Sequence, residues 1–222
     1  MKNNILIIIP AYNAAKYIPE LFKRLSKYVS VDRMLFVNDG STDSTQTEIN
    51  KLPAHAIEFD QNQGKGMALK SGFDYAIKNG YEAVITIDAD LQHKPEHLPE
   101  FFSRYGEGDV LIGTRFIHPK VMPFERLLTN NLSSIIISIF GCTRVRDSQS
   151  GYRLIKTAVL KELRLTSVRY DTESEMLFQT GYLGFTAAEI PIETVYEGSS
   201  SFINPVKDTT RFIRQIWKRM WY

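Results

Sequence analysis

Residues 5–13 read Ile5-Leu6-Ile7-Ile8-Ile9-Pro10-Ala11-Tyr12-Asn13, an unbroken aliphatic run followed by a proline and a polar turn. A strand with one wet face alternates apolar and polar residues, whereas a run apolar at consecutive positions suits a strand covered on both faces. Comparable short runs recur at 34–37, 56–59, 83–87 and 110–112. Helical patterns lie between them. Tyr17, Leu21, Phe22 and Leu25 share one face of the first, and 67–78 forms another that Asn79-Gly80 stops. Pro95 stands in the first turn of a third, ahead of Leu98, Phe101 and Phe102. Strand-helix-strand repetition predicts an α/β fold with a mostly parallel central sheet flanked by helices. Ligands of such sheets bind beyond the carboxyl ends of the strands, so chemistry is expected in the segments that follow each strand. Further along, the pattern predicts helices over 125–140 and 171–181, a strand over 187–192, and a basic, aromatic amphipathic helix near 208–222. No linker or internal repeat divides the chain, and one domain is expected.

Composition sets outer limits. The 222 residues are 43% hydrophobic, 23% charged and 12% aromatic, which excludes disordered and collagen-like chains. A formal net charge of +2 and the absence of a long basic run argue against a general nucleic-acid binder. The sole cysteine, Cys142, excludes an internal disulfide framework and a thiolate metal cluster, and fits a reducing compartment. No apolar stretch nears the roughly 20 residues that span a bilayer, and the 5–9 run is shorter than a signal-peptide core of about 7–15 residues. A cytoplasmic protein is expected, at the cytoplasmic face of the membrane if it is peripheral.

The segment Ile85-Thr86-Ile87-Asp88-Ala89-Asp90-Leu91-Gln92-His93 carries the strongest chemical signal. Alternate residues of an extended segment point the same way, so Asp88 and Asp90 are expected to face one site. Like charges held close call for a cation between them. Mg²⁺ or Mn²⁺, hard ions that take oxygen ligands, fit that need and bridge substrate phosphates, and Gln92 adds a neutral oxygen. The plainer alternative is a solvated acidic turn with His93 at a helix start. At the other strand ends, Asp39 is expected to accept hydrogen bonds from a nucleobase or ribose, and Tyr12 to stack or pack on a base. Ser41 to Ser44 read as a turn and helix cap. Gly64-Lys65-Gly66 is neither a Walker loop nor a dinucleotide fingerprint; it reads as a helix-opening loop that sets Lys65 near a phosphate.

Taken in order, Ile-Pro-Ala-Tyr-Asn (9–13), Val-Asn-Asp-Gly-Ser-Thr-Asp (37–43), Asn-Gln-Gly-Lys-Gly (62–66), Asp-Ala-Asp-Leu-Gln-His (88–93), Gly-Thr-Arg (113–115) and Asp-Ser-Gln-Ser-Gly-Tyr-Arg (147–153) resemble the family 2 glycosyltransferases of GT-A fold. Within that family the resemblance is to the dolichyl-phosphate mannose synthase and polyprenyl-phosphate sugar transferase branch. It implies a nucleotide-sugar-binding half over about 1–92 and an acceptor-side half over about 93–222. It also implies that Pro10, Tyr12 and Asp39 contact the nucleoside of the donor, with Lys65 and Asp88 on the donor side. Asp88, Asp90 and Gln92 would hold the metal against the diphosphate. Arg115, Arg126 and Arg153 would handle phosphates, a task suited to a planar, permanently charged fork. Two departures from the family pattern stand out: Ala14 replaces an acidic residue, and Tyr196-Glu197-Gly198-Ser199-Ser200-Ser201 lacks the usual basic residues.

The reaction this implies is an inverting, metal-dependent transfer, with Asp90 and Arg115 serving the departing nucleoside diphosphate. A polyprenyl phosphate acceptor is already ionised near neutral pH and needs no base. A saccharide hydroxyl, as in cell-surface polysaccharide synthesis, needs a carboxylate, and Asp147, Asp171 and Glu173 are the candidates, Asp147 first. A non-catalytic nucleotide-sugar-binding protein is the remaining alternative. A nucleotidyltransferase would carry a glycine-rich loop with arginine where Pro10-Ala11-Tyr12-Asn13 stands. The basic, aromatic tail suits either a membrane headgroup layer or ordinary docking on the core. Expected partners are therefore the donor, a lipid-phosphate or saccharide acceptor, and the membrane surface or a membrane protein, but no nucleic acid.

Overall fold

The computed structural model describes residues 4–115, 145–167 and 172–193. Arg126, Cys142 and Asp171, the helix expected over 125–140, the 196–201 loop and the 208–222 tail lie outside the described residues. The described chain runs β1 (Ile5–Ala11), α1 (Ile18–Leu25), β2 (Met34–Asn38), α2 (Thr45–Asn50), β3 (His55–Glu58), α3 (Lys65–Lys78) and β4 (Ala83–Thr86). It continues with α4 (Leu98–Ser103), β5 (Val110–Arg115), β6 (Arg153–Lys156), α5 (Thr157–Glu162), α6 (Thr172–Tyr182) and β7 (Ala187–Ile192).

These strands form one sheet in the order β3-β2-β1-β4-β6-β5-β7. All neighbouring pairs are parallel except those of β6, which runs antiparallel to both β4 and β5. The mostly parallel sheet expected from the sequence is present. Strand β6 was not among the expected strands: four residues bounded by Arg153 and Lys156 carry too little periodic signal beside a Ser-Gly-Tyr turn.

The continuous apolar run of β1 is explained by its central position. Ile5, Ile7 and Ile9 pack with Ile18, Leu21 and Leu25 of α1 and with Leu98 and Phe101 of α4. Leu6 and Ile8 point the other way, onto Ala68, Leu69 and Phe73 of α3, Val159 and Leu160 of α5, and Met176 and Leu177 of α6. Both faces are covered, so every side chain along the strand is apolar. Helix α3 ends where Asn79-Gly80 predicts: Tyr81 N–H reaches Ala76 C=O at 3.0 Å and Gly80 N–H reaches Ile77 C=O at 3.3 Å, with Gly80 at φ +71°. This is a Schellman motif, which needs a residue tolerant of left-handed backbone at that point. The chain crosses from β3 back past β1 to β4, so the sheet order reverses beside β1 and opens a crevice at the carboxyl ends.

Close approach of α3 to β1 depends on Gly72, where a Cβ would lie 2.6 Å from Cγ2 of Ile8. Replacing this glycine with valine gains about 0.3–0.5 kcal/mol of helix propensity but incurs an overpacking cost of about 1–3 kcal/mol. The cost dominates, so Gly72→Val is expected to lower stability by about 2 kcal/mol. Urea unfolding checks this through a lower midpoint at unchanged m; an unaltered midpoint would mean that α3 shifts freely on the sheet.

A candidate active site at the carboxyl edge of the sheet

Three loops build one side of the crevice. Pro10 is buried within β1, and Tyr12, just past the strand, is 44% exposed, the only strongly exposed aromatic at this edge among the described residues. Asn13, at φ +49°, turns the chain back and accepts Thr42 N–H on its side-chain oxygen at 2.8 Å. Asp43 accepts Thr45 N–H at 2.9 Å, so the 41–44 segment is the helix-opening turn that its residue types favour. Asp39 shapes the neighbouring loop. Its carboxylate accepts Gln63 N–H at 2.7 Å, Gly64 N–H at 2.9 Å and the Asn62 side-chain amide at 3.0 Å. Three of roughly four acceptor positions are thus spent on the 62–64 loop rather than offered to a nucleoside. Burial pushes the Asp39 carboxyl up, and the two backbone donors offset part of that rise. Gly40 allows this contact, because at φ +61° a Cβ would lie 2.2 Å from the Gln61 carbonyl carbon.

Beyond β4 the two aspartates are not arranged by strand alternation. The strand stops at Thr86, and Leu91 adopts left-handed backbone at φ +61°, so Asp90 sits in a turn and accepts Gln92 N–H at 3.0 Å. They nonetheless share a field. Burial favours the neutral form of Asp88, but the Lys65 ammonium outweighs it, aided by His93 and Arg115, and draws the carboxyl below its ordinary range. Asp90 moves the opposite way, raised first by burial and then by the Asp88 charge. Lys65, expected beside a donor phosphate, lies 2.6 Å from Asp88 Oδ1 and 2.7 Å from Glu173 Oε1. Burial opposes its charge, yet these two carboxylates hold the ammonium above its usual pKa. His93 is buried beside Asp88, with Nδ1 3.6 Å from Oδ2, and burial drives its pKa down to about 4, so the ring is neutral near pH 7.

The other side of the crevice enters through the 145–152 segment, which folds onto this edge between β4 and β5. Thr86 Oγ1 donates to Gly151 C=O at 2.7 Å, fixing the segment against β4. Arg115, at the end of β5, grips Asp147 with Nε at 2.6 Å and Nη2 at 2.9 Å. Asp147 is fully buried; burial disfavours its charge, but Arg115 prevails and lowers its pKa. With both oxygens engaged, Asp147 orients Arg115 and is not an open base, which corrects the first-ranked choice for that role. Arg153 is a second correction. Its guanidinium is 1% exposed and donates to the carbonyls of Ser150 at 2.8 Å, Ser148 at 2.7 Å and Glu173 at 2.6 Å. Burial lowers its pKa to about 10, and it braces the backbone instead of meeting a phosphate.

Sequence reasoning missed the glycines that make these contacts fit. At Gly151 a Cβ would lie 2.5 Å from Asp88 Oδ2, so a larger residue would force the aspartate side chain or this segment to shift. A glycine placed directly after an acidic or serine-rich turn, as in 38–41 and 148–153, is the signal that was available.

The donor set suits a hard cation. Asp88, Asp90 and the Gln92 amide offer only oxygen, and the raised pKa of Asp90 marks an acid whose charge lacks full compensation. Among the described residues no group of three His, Cys, Asp or Glu could hold an ion without help. A cation here would complete its shell with ligand oxygens, as Mg²⁺ does with phosphates.

The same charge imbalance has a stability signature. Because the folded-state pKa of Asp90 is raised, its contribution is fully favourable below the unfolded carboxylate value near ~4 and declines as pH rises through the folded one. Asp90→Asn keeps the acceptor oxygen but removes the charge. In metal-free buffer it should raise Tm by roughly 2–4 °C at pH 7, with the gain vanishing below about pH 4. Differential scanning calorimetry at both pH values checks this, and an equal gain at both would sink the assignment.

Comparison with known proteins agrees with this geometry. A family model described as glycosyl transferase family 2 matches residues 6–164. The chain is 31% identical over 216 residues to the UDP-N-acetylglucosamine–dolichyl-phosphate N-acetylglucosaminyltransferase of Methanococcus voltae, covering 86% of each. It is 29% identical over 202 residues to the undecaprenyl-phosphate mannosyltransferase of Micrococcus luteus, covering 86% of this chain and 83% of that one. Glucosyl-3-phosphoglycerate synthase from Mycobacterium tuberculosis, crystallised with Mn²⁺, UDP and glucosyl-3-phosphoglycerate, superposes with a TM-score of 0.77 at 19% identity. That match covers 98% of this chain and 80% of the other and shows the shared GT-A fold. With the family model spanning most of the sheet and relatives aligned along most of its length, the chain belongs to glycosyl transferase family 2 and is a glycosyltransferase.

Proposed function

We propose that this protein transfers a sugar from a nucleotide-sugar donor to a polyprenyl phosphate, with inversion at the anomeric carbon and with a divalent cation bound at Asp88, Asp90 and Gln92. The observation that carries the reading is the convergence of Asp88, Asp90 and the Asp147-oriented Arg115 at one edge of the sheet. The acceptor phosphate oxygen attacks the anomeric carbon as the bond to the nucleoside diphosphate breaks, and the departing diphosphate takes the electron pair. Bound there, Mg²⁺ or Mn²⁺ supplies Lewis-acid stabilisation of the diphosphate charge. Arg115, locked by its bidentate pair, offers its charge without reorganising at the moment of reaction. Tyr12, exposed just past β1, is the surface on which the base packs.

A phosphate acceptor is favoured by what the candidate bases are doing. Asp147 is held at both oxygens by Arg115, and Glu173 pairs with Lys65 through Oε1 while its Oε2 is buried, so neither described candidate presents an open base to a hydroxyl. A phosphate brings its own ionised oxygen and needs none. Two of the relatives carry names in which the acceptor is a dolichyl or undecaprenyl phosphate, which supports the same choice. Among the described residues no helix is long and apolar enough to cross a membrane; peripheral contact or a membrane partner is the proposed route to the lipid.

The test is turnover by the purified chain with UDP-, GDP- and other nucleotide sugars, with polyprenyl phosphate or a saccharide offered as acceptor. Expected is a glycosyl phosphate lipid whose anomeric configuration, read by NMR, is opposite to that of the donor, formed only with Mg²⁺ or Mn²⁺. Transfer to the saccharide alone would overturn the acceptor, and nucleotide binding without turnover would overturn the enzyme reading. Arg115→Lys retains charge but loses the bidentate grip on Asp147, and is expected to cut kcat/KM by roughly 10- to 150-fold, the equivalent of a charge-assisted hydrogen bond.

A further inference from the structure

We infer that the Lys65 ammonium is a resident counter-ion that a divalent cation must displace from Asp88, and that Glu173 receives it when it moves. The inference rests on the metal-assisted reading above and goes beyond it. Each oxygen of Asp88 has a close neighbour, while the side chain as a whole stays 25% exposed. Its Oδ2 is walled by Gly151, where even a Cβ would lie 2.5 Å away, and by the His93 ring, with Nδ1 at 3.6 Å. Its other oxygen, Oδ1, is covered by Lys65 Nζ at 2.6 Å. A cation reaching Oδ1 therefore meets the ammonium that already holds it.

Lys65 has somewhere to go. Nζ lies 2.7 Å from Glu173 Oε1, while Glu173 Oε2 is buried with no hydrogen-bond partner among the described residues. A buried carboxylate oxygen without a donor is costly, and it is also a vacant acceptor. Swinging from Asp88 Oδ1 to Glu173 Oε2 keeps the ammonium doubly paired and satisfies the orphan oxygen. Lys65 opens α3, directly after the loop organised by Asp39, and Glu173 lies in the first turn of α6, so the exchange ties cation binding to both halves of the site. Lys65 is thus a positioning residue that tunes cation affinity, and Glu173 acts through it.

The experiment is a Mn²⁺ titration of the full, nucleotide-free chain, followed by the electron paramagnetic resonance signal of free Mn²⁺. Lys65→Met should tighten Mn²⁺ binding by about fivefold or more, because the competing charge is gone. Glu173→Gln should weaken it by about threefold or more, because the ammonium then leans wholly on Asp88. In the double variant the Glu173→Gln effect should vanish, since Glu173 works through Lys65; a field effect of the carboxylate would persist. Lys65→Gln retains amide donors for both carboxylates without the charge and should shift affinity in the same direction as Lys65→Met if the latter fails to fold. Unchanged or weaker binding by the folded lysine variants would overturn the inference, as would a Glu173→Gln effect that survives in the double variant. Failure of the wild-type chain and every variant to bind Mn²⁺, with or without UDP, would instead overturn the metal-assisted reading, and the inference with it.

Discussion

The 145–153 side of the site hangs on one buried cation. Arg153 carries its charge out of water at the start of β6, where three backbone carbonyls from Ser148, Ser150 and Glu173 replace its hydration. Each bond fixes a backbone point whose neighbour performs a task. The carbonyl of Ser148 adjoins Asp147, which aims Arg115; that of Ser150 adjoins Gly151, which closes on Asp88. The Glu173 carbonyl belongs to the residue that anchors Lys65. A guanidinium suits this role because its planar fork addresses several acceptors at once and stays charged even with a pKa drawn down to about 10.

Around that brace the site is a set of paired charges taken out of water. Desolvation costs several kcal/mol per ion in such places, and mutual attraction returns much of it only when geometry is good. Arg115 with Asp147, and Lys65 between Asp88 and Glu173, meet that condition at 2.6–2.9 Å. Asp90 differs: among the described residues it has backbone hydrogen bonding but no ion pair, and burial and the Asp88 charge raise its pKa. One uncompensated acid among compensated ones is the expected mark of a site shaped for a ligand that is itself charged. Stability alone would have favoured apolar residues here.

Much of this was legible in the residues. The unbroken apolar run of β1 predicted burial on both faces, and β1 is the strand with α1 and α4 on one side and α3, α5 and α6 on the other. Asp88 and Asp90 drew notice because ligands of such sheets bind beyond strand ends, and Arg115 because its motif resembles the family's; the structure sets all three at one edge of the sheet. What the sequence hid was direction. Arg153 and Asp39 belong to motifs that resemblance links to phosphate and nucleoside, but motif membership does not say which way a side chain points. Both turn inward, Asp39 toward amides of the 62–64 loop and Arg153 toward carbonyls of its own turn and of Glu173. Strand β6 was hidden for a related reason: its place depends on β4 and β5 leaving room for an antiparallel neighbour, and four residues cannot announce that.

That inserted strand has a consequence for how the chain assembles. The block β3-β2-β1-β4 draws only on the first 86 residues and can pair as soon as they are available. Strand β5 is different, because its sheet neighbours, β6 and β7, are both encoded after it. At a synthesis rate of about 5–20 residues per second, a hydrophobic strand would leave the ribosome several seconds before its first partner does. The polypeptide therefore passes through a stage with two open edges, one on β4 and one on β5, that cannot join each other in the native order. Edges of this kind invite pairing with other chains, so the interval between β5 and β6 is the stretch of biosynthesis in which a chaperone would matter most.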